Sequence, residues 1–210
     1  MNERSFDAPA TEPANAAGSP PRCSGCAAAD PARRSVLRQF AAGAMAMCGA
    51  AGHGAVPNPD PPREGDWLVP VDADELTPLT PADIKPDARQ IVVWPADPLT
   101  RKLRDGSRLN RIIVIRIDAA ALDASARARS VDGVLAFSGI CTHQGCDVSS
   151  WRPAEKTLLC FCHFSQFQPA DGGAVVAGPA PRALPTLPLR SDGSRLLLAG
   201  GFSEAPGAMT

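Results

Sequence analysis

Short apolar runs recur along the chain from residue 90 onward, each bounded by turn residues. They are Gln90 to Trp94, Arg111 to Ile117, Gly133 to Phe137, Thr157 to Cys160, Ala174 to Val176, Thr186 to Leu189 and Arg195 to Ala199. Runs this short, several of them rich in Val and Ile, suit strands rather than helices. Asp-Gly pairs at 132-133, 171-172 and 192-193 mark turns, because that dipeptide accepts the positive φ of a tight reversal. Ala119 to Arg129 reads as a short helix or an exposed loop. Many short strands separated by turns predict an all-β domain, a sandwich or partial barrel.

The N-terminal part is patterned differently. Residues 1–32 are rich in Ala, Pro, Asn and Ser, carry no apolar period and read as a disordered tail. Residues 33–56 open on Arg33, Arg34 and Arg38 and run into Ala, Gly and Met from Phe40 to Val56. Paired Arg before a weakly apolar segment, with no basic residue again until Arg63, predicts a twin-arginine export signal or a membrane anchor. Glu3, Asp7 and Glu12 argue against a mitochondrial presequence, which is poor in acids. Residues 57–65, with Pro57, Pro59, Pro61 and Pro62, read as a stiff linker, and the folded domain is expected over 66–202.

Composition narrows the function. Pro makes up 22 of 210 residues, which argues against long helices. A net charge of -1 gives no global field for a polyanion, and 5% aromatics with no Tyr leaves little to stack on bases, so nucleic acid is not an expected partner.

The cysteines carry the chemistry. Four of the seven, Cys141, Cys146, Cys160 and Cys162, lie within residues 141–163 together with His143 and His163. A disulfide framework would spread its cysteines, whereas alternating Cys and His in one window reads as a metal site. Cys23 and Cys26 form a lone pair in the tail with no partner pair, and read as incidental; Cys48 reads as a small apolar residue. One loop is Cys141-Thr142-His143-Gln144-Gly145-Cys146 and the other Cys160-Phe161-Cys162-His163-Phe164-Ser165. Each follows a predicted strand, so two hairpin tips side by side would present two thiolates and two imidazoles. That donor set suits zinc or a mixed-ligand iron-sulfur cluster, and ligand count leaves both open.

The loops C-T-H-x-G-C and C-x-C-H-x-S resemble those of the Rieske iron-sulfur proteins, in particular the Rieske subunits of cytochrome bc complexes, over about residues 130–200. The resemblance implies an antiparallel Rieske-type β sandwich with two cluster-binding hairpin loops and a [2Fe-2S] cofactor. It places Cys141 and Cys160 on one iron, His143 and His163 on the other, and a disulfide between Cys146 and Cys162. It makes Gly178-Pro179-Ala180-Pro181 the proline loop that covers the cluster, and Ser165 a hydrogen-bond donor to a cluster sulfur. Phe167 stands where high-potential members carry Tyr. Neutral imidazoles in place of two thiolates make the added electron less costly, so such centres work at roughly -150 to +300 mV. A disulfide fits an oxidising compartment, in line with the export signal.

The implied function is one-electron transfer without bond chemistry, as the iron-sulfur subunit of a quinol-cytochrome c reductase-type complex. Gln144 and Phe164 depart from the bc pattern, which carries Leu and Gly there. The run His163 to Phe167, followed by Pro169 and Gly172-Gly173, is similar to small Rieske subunits of periplasmic molybdenum oxidases such as arsenite oxidase. Another exported oxidoreductase is therefore the alternative. Expected partners are a cytochrome or oxidoreductase subunit, quinol, and the membrane if the N-terminal helix is uncleaved. The expected location is the bacterial inner membrane with the domain in the periplasm, or the soluble periplasm after cleavage. The run Arg101, Lys102, Arg104, Arg108, Arg111 reads as a solvated face or a docking face for an acidic partner.

Overall fold

Ile112, Ile113, Val114 and Ile115 are each at most 1% exposed, so their strand is covered on both faces. That explains an apolar run with no alternation. The computed structural model describes residues 58–209. The expected tail and export segment, with Cys23, Cys26 and Cys48, lie outside the described residues.

The described residues form twelve short strands: β1 (Trp67–Pro70), β2 (Ile91–Asp97), β3 (Lys102–Leu103), β4 (Ile112–Arg116), β5 (Val134–Ser138), β6 (Ser150–Arg152), β7 (Thr157–Cys160), β8 (Ser165–Gln168), β9 (Ala174–Ala177), β10 (Thr186–Leu187), β11 (Leu189–Ser191) and β12 (Leu196–Leu198). All pairings are antiparallel. The larger sheet runs β10-β5-β4-β2-β1-β12-β11 with β3 beside β2, and the smaller runs β6-β7-β8-β9. Pro188 alone separates β10 from β11 in the chain, yet they lie at opposite edges of the larger sheet. The sheet therefore curls until its edges nearly meet. The Ala119–Arg129 region is a 3-10 turn followed by one short helix, α1 (Ala124–Ala128), capped by the Asp123 carboxylate on the Ala126 amide.

The two faces of β4 and β5 feed two cores. Ile112, Val114, Val134 and Ala136 point into the curled sheet with Leu68, Val93, Leu187 and Leu198. Ile113, Ile115, Leu135 and Phe137 point outward and pack against Val148, Trp151, Leu158 and Phe167 of the part that carries the two Cys/His loops. The smaller sheet is thus seated on the back of the larger one. Gln90 stitches them, accepting from the Trp151 amide at 2.9 Å and donating to the Ser149 carbonyl.

The segment before β1 packs against the domain. Asp60 pairs with Arg104, the Asn110 amide donates to the Asp60 carbonyl at 2.8 Å, and Pro62 is buried. The basic run is not a uniform face. Arg104 is 7% exposed and bonds Asp66 at 2.7 Å, Arg108 and Arg111 both pair with Asp147, and Arg101 lies over the Trp67 ring. Among the described residues no helix is long and apolar enough to cross a membrane.

Candidate metal centre

Both candidate loops are hairpin tips. The second joins β7 to β8, where Cys160 faces Ser165 across the ladder and residues 161–164 form the tip. The first leaves β5 and returns through a bridge between Ile140 and Asp147. It closes on itself, with the Cys141 amide donating to the Cys146 carbonyl at 2.7 Å and the Gly145 amide to the Cys141 carbonyl at 3.0 Å. Gly145 has φ +73, which the tight return requires. Arg108 braces this loop from outside, donating to the Gly145 carbonyl at 2.6 Å and to Asp147 at 2.8 Å.

Cys146 and Cys162 form a disulfide between the tips. The sulfurs of Cys146, Cys160 and Cys162 lie within 4.8 Å of one another, but the disulfide occupies two of them. Among the described residues the free thiols are Cys141 and Cys160, both buried. They belong to the same apolar cluster as Phe137, Phe167 and Ala180. Burial pushes the Cys141 thiol up, and the neighbouring Cys160 acts in the same direction. The His143 backbone amide and the Ser165 hydroxyl, both turned toward its sulfur, act against that.

The imidazoles sit on the outer side. His143 is half-buried and His163 exposed. Their Nδ1 atoms face each other at 3.3 Å, with the rings perpendicular at 89°. Two nitrogens at about 2.1 Å from one tetrahedral metal would stand about 3.4 Å apart, so the pair is spaced to share a single ion.

Ser165 adds a second observation. Its Oγ is buried and leans toward the Cys141 sulfur, but meets no partner within the protein at full hydrogen-bond geometry. A buried hydroxyl left unpaired costs about 1–3 kcal/mol. An acceptor sulfur supplied by a bound group would remove that cost. Buried thiols, facing imidazoles and an unpaired donor together fit an iron-sulfur group with mixed ligands.

Phe167 is fully buried in the same cluster as Cys141 and Cys160. Gly178, Pro179 and Pro181 are exposed, while Ala180 between the prolines is buried in the cluster with the thiols. Gly178 has φ +84 and sits against the backbone of Ser165. Phe164 takes φ +58, uncommon for a bulky residue, and its side chain is 64% exposed beside Phe161 at 57%. Two contributors are not readable from motifs, Arg108 and Arg182, because each acts through carbonyl groups far away in the chain.

The sequence profile of the Rieske [2Fe-2S] domain matches residues 66–188, more than half of the chain. The chain belongs to the Rieske family. Its cofactor is a [2Fe-2S] cluster and its chemistry is electron transfer. A protein of Haloferax mediterranei named a Rieske subunit of a respiratory nitrate reductase is 42% identical over 95 residues, 45% of this chain and 42% of the relative. The Rieske iron-sulfur subunit of the cytochrome bc1 complex of Streptomyces lividans is 38% identical over 96 residues, 45% of this chain and 56% of the relative. The chain therefore matches about half of these curated relatives' length. A plasma-membrane Rieske protein of Synechocystis aligns at 26% identity over 51% of this chain and 84% of its own, with a TM-score of 0.33.

Proposed function

We propose that this chain is the iron-sulfur subunit of a quinol-cytochrome c reductase-type respiratory complex, exported by its twin-arginine signal to the periplasmic face of the inner membrane. The electron-transfer part of the reading is carried by the facing imidazoles of His143 and His163 on the same two loop tips as the buried thiols of Cys141 and Cys160. Relatives named as bc1 Rieske subunits support the complex.

In this reading Cys141 and Cys160 hold one iron and His143 and His163 the other. When bound, the cluster takes up and returns one electron. The apolar residues behind the thiols keep water from that side. The imidazoles would present the centre to the outside, and an iron held at the facing Nδ1 atoms would leave each Nε2 free on the far side of its ring. A bound cluster would supply the site for the electron, and the outward Nε2 atoms of His143 and His163 are where a proton released by quinol would be held. The exposed Phe161 and Phe164 offer an uncharged apolar rim to the donor or to a cytochrome partner.

The relative named as a nitrate reductase subunit supports a second reading, the Rieske subunit of another exported oxidoreductase such as a molybdenum-dependent, arsenite-oxidase-like enzyme. Deleting the gene and assaying membranes separates the two. Loss of quinol-dependent cytochrome c reduction, with cytochrome subunits co-purifying with the tagged chain, supports the first. Unchanged reduction with a molybdenum subunit co-purifying overturns it.

A further inference from the structure

The proline loop lacks ordinary backbone support. Pro179 and Pro181 have no amide hydrogen to give. Among the described residues, no backbone-to-backbone hydrogen bond outside the regular elements involves residues 178–183. Two contacts hold the loop to the tips. At its start, Gly178 packs on Ser165 of the second tip. At its end, the Arg182 carbonyl accepts from the Thr142 hydroxyl at 2.8 Å. Thr142 is fully buried and stands between Cys141 and His143 in the first tip.

The Arg182 side chain is itself anchored. It is 13% exposed and pairs with Glu204 at 3.1 Å. The same guanidinium donates to the Ala205 carbonyl at 2.6 Å and the Gly207 carbonyl at 2.7 Å. Hydrogen bonds from a charged donor are the strong ones, and this planar fork spans three acceptors at once. Gly207 is buried, with space beside it bounded by Leu109 and Ile140, the residue before Cys141. The C-terminal segment thus has its own seat next to the first tip.

We propose that Arg182 is a positioning residue for the cluster: it clamps residues 204–207 beneath the proline loop, and through Thr142 fixes the cover over the first cluster tip. This rests on the reading that residues 141–143 hold the cluster. Neither end of the clamp touches the cluster ligands directly. Its effect on the centre comes from keeping the loop closed against water and chelators.

The test uses the full-length holoprotein and three variants. They are Arg182→Gln, a deletion of residues 204–210, and the two combined. The deletion keeps Ser203, whose amide and hydroxyl bond Thr186. Two quantities are measured, the rate of bleaching by an iron chelator and the midpoint potential by voltammetry. Each single variant is expected to bleach at least tenfold faster than the parent. The combination is expected to bleach no faster than the worse single variant, because the guanidinium and the tail act as one device. The deletion should also raise the midpoint, since water admitted to the centre stabilises the added negative charge. Arg182→Lys should recover part of the bleaching rate.

Parent-like bleaching and midpoint in the single variants overturn the clamp, as do effects that multiply in the combination. If Arg182→Gln does not fold, the deletion and Arg182→Lys carry the same comparison. A parent protein that binds zinc and no iron overturns the underlying reading instead, so the two failures are distinct.

Discussion

Gly178 approaches Ser165 so closely that a Cβ added to the glycine would stand 2.5 Å from the Ser165 Cα and 2.7 Å from its amide nitrogen. The proline loop and the second tip therefore meet backbone to backbone, with no room for a side chain. Gly178→Ala combines that overlap with a φ of +84 that alanine rarely adopts. Strain of this kind costs on the order of 1–3 kcal/mol. For a chain of this size each kcal/mol shifts the melting temperature by about 2–4 °C. Calorimetry should show a loss of several degrees, and the cluster should bleach faster in chelator. An unchanged melting curve would mean that the loop does not sit on Ser165.

Ser165 gives a test with two readouts of opposite sense. Its hydroxyl is buried and meets no partner within the protein at full hydrogen-bond geometry, so Ser165→Ala should leave the cluster-free chain as stable or more stable. On the reading that this hydroxyl donates to a cluster sulfur, the same change in the holoprotein removes that bond. If the difference between oxidised and reduced states is about 1 kcal/mol, the midpoint falls by about 40 mV. The reverse is expected from Phe167→Tyr, whose new hydroxyl would donate to the Cys141 sulfur and raise the midpoint by a similar amount. Voltammetry decides. A silent midpoint in both, with a lower melting temperature in Phe167→Tyr, places both side chains in purely structural roles.

These tuning positions show what the sequence does and does not disclose. The strands β2, β4, β5, β7, β9 and β12 are legible because each is an apolar run between turn residues. Strand β8 is not: Ser165-Gln166-Phe167-Gln168 looks polar, yet Ser165 and Phe167 face inward and Gln166 and Gln168 outward. β6 carries one buried apolar residue, Trp151, too little for a pattern, and Pro188 divides what reads as one strand from Thr186 to Leu189. The loops of the centre are legible because Cys and His at close spacing have few other uses. The arginines are not. Arg104, Arg108 and Arg111 look like one charged run, but their partners Asp66 and Asp147 lie 36 to 39 positions away and become neighbours only through the sheet.

The disulfide should matter to the loops more than to the iron. Cys146 and Cys162 are 16 positions apart, and neither is a proposed ligand. Closing a loop of about 15 residues limits the unfolded chain by roughly 3 kcal/mol. Cys146→Ser should therefore lower the denaturant midpoint while freshly purified protein keeps two irons per chain. The cluster should then be lost faster on storage. Iron content halved at the first measurement would show that Cys146 is itself a ligand.

Arg104 supplies a prediction away from the centre and sets the sign of a pH response. It is buried with Asp66, which is 2% exposed, and also pairs with Asp60 and Asp97. Its bond to Asp66 holds the guanidinium above its ordinary pKa, so it stays charged at every accessible pH. Arg104→Ala would strand the Asp66 carboxylate in the interior, and breaking a buried pair in this way costs about 3–5 kcal/mol. Asp97 lies at the exposed edge of the same group, its carboxyl held below the usual 3.8 first by the Thr100 and Leu99 amides and then by Arg104. A carboxyl lowered on folding adds stability that is fully present above its unfolded pKa and is lost as the pH falls through its folded one. Asp97→Asn should therefore destabilise the protein near neutral pH and flatten the loss of stability on acidification below about pH 4. Melting curves between neutral pH and acid measure both. A parent and variant that differ by the same amount at every pH would show that Asp97 contributes through its shape and hydrogen bonds rather than its charge.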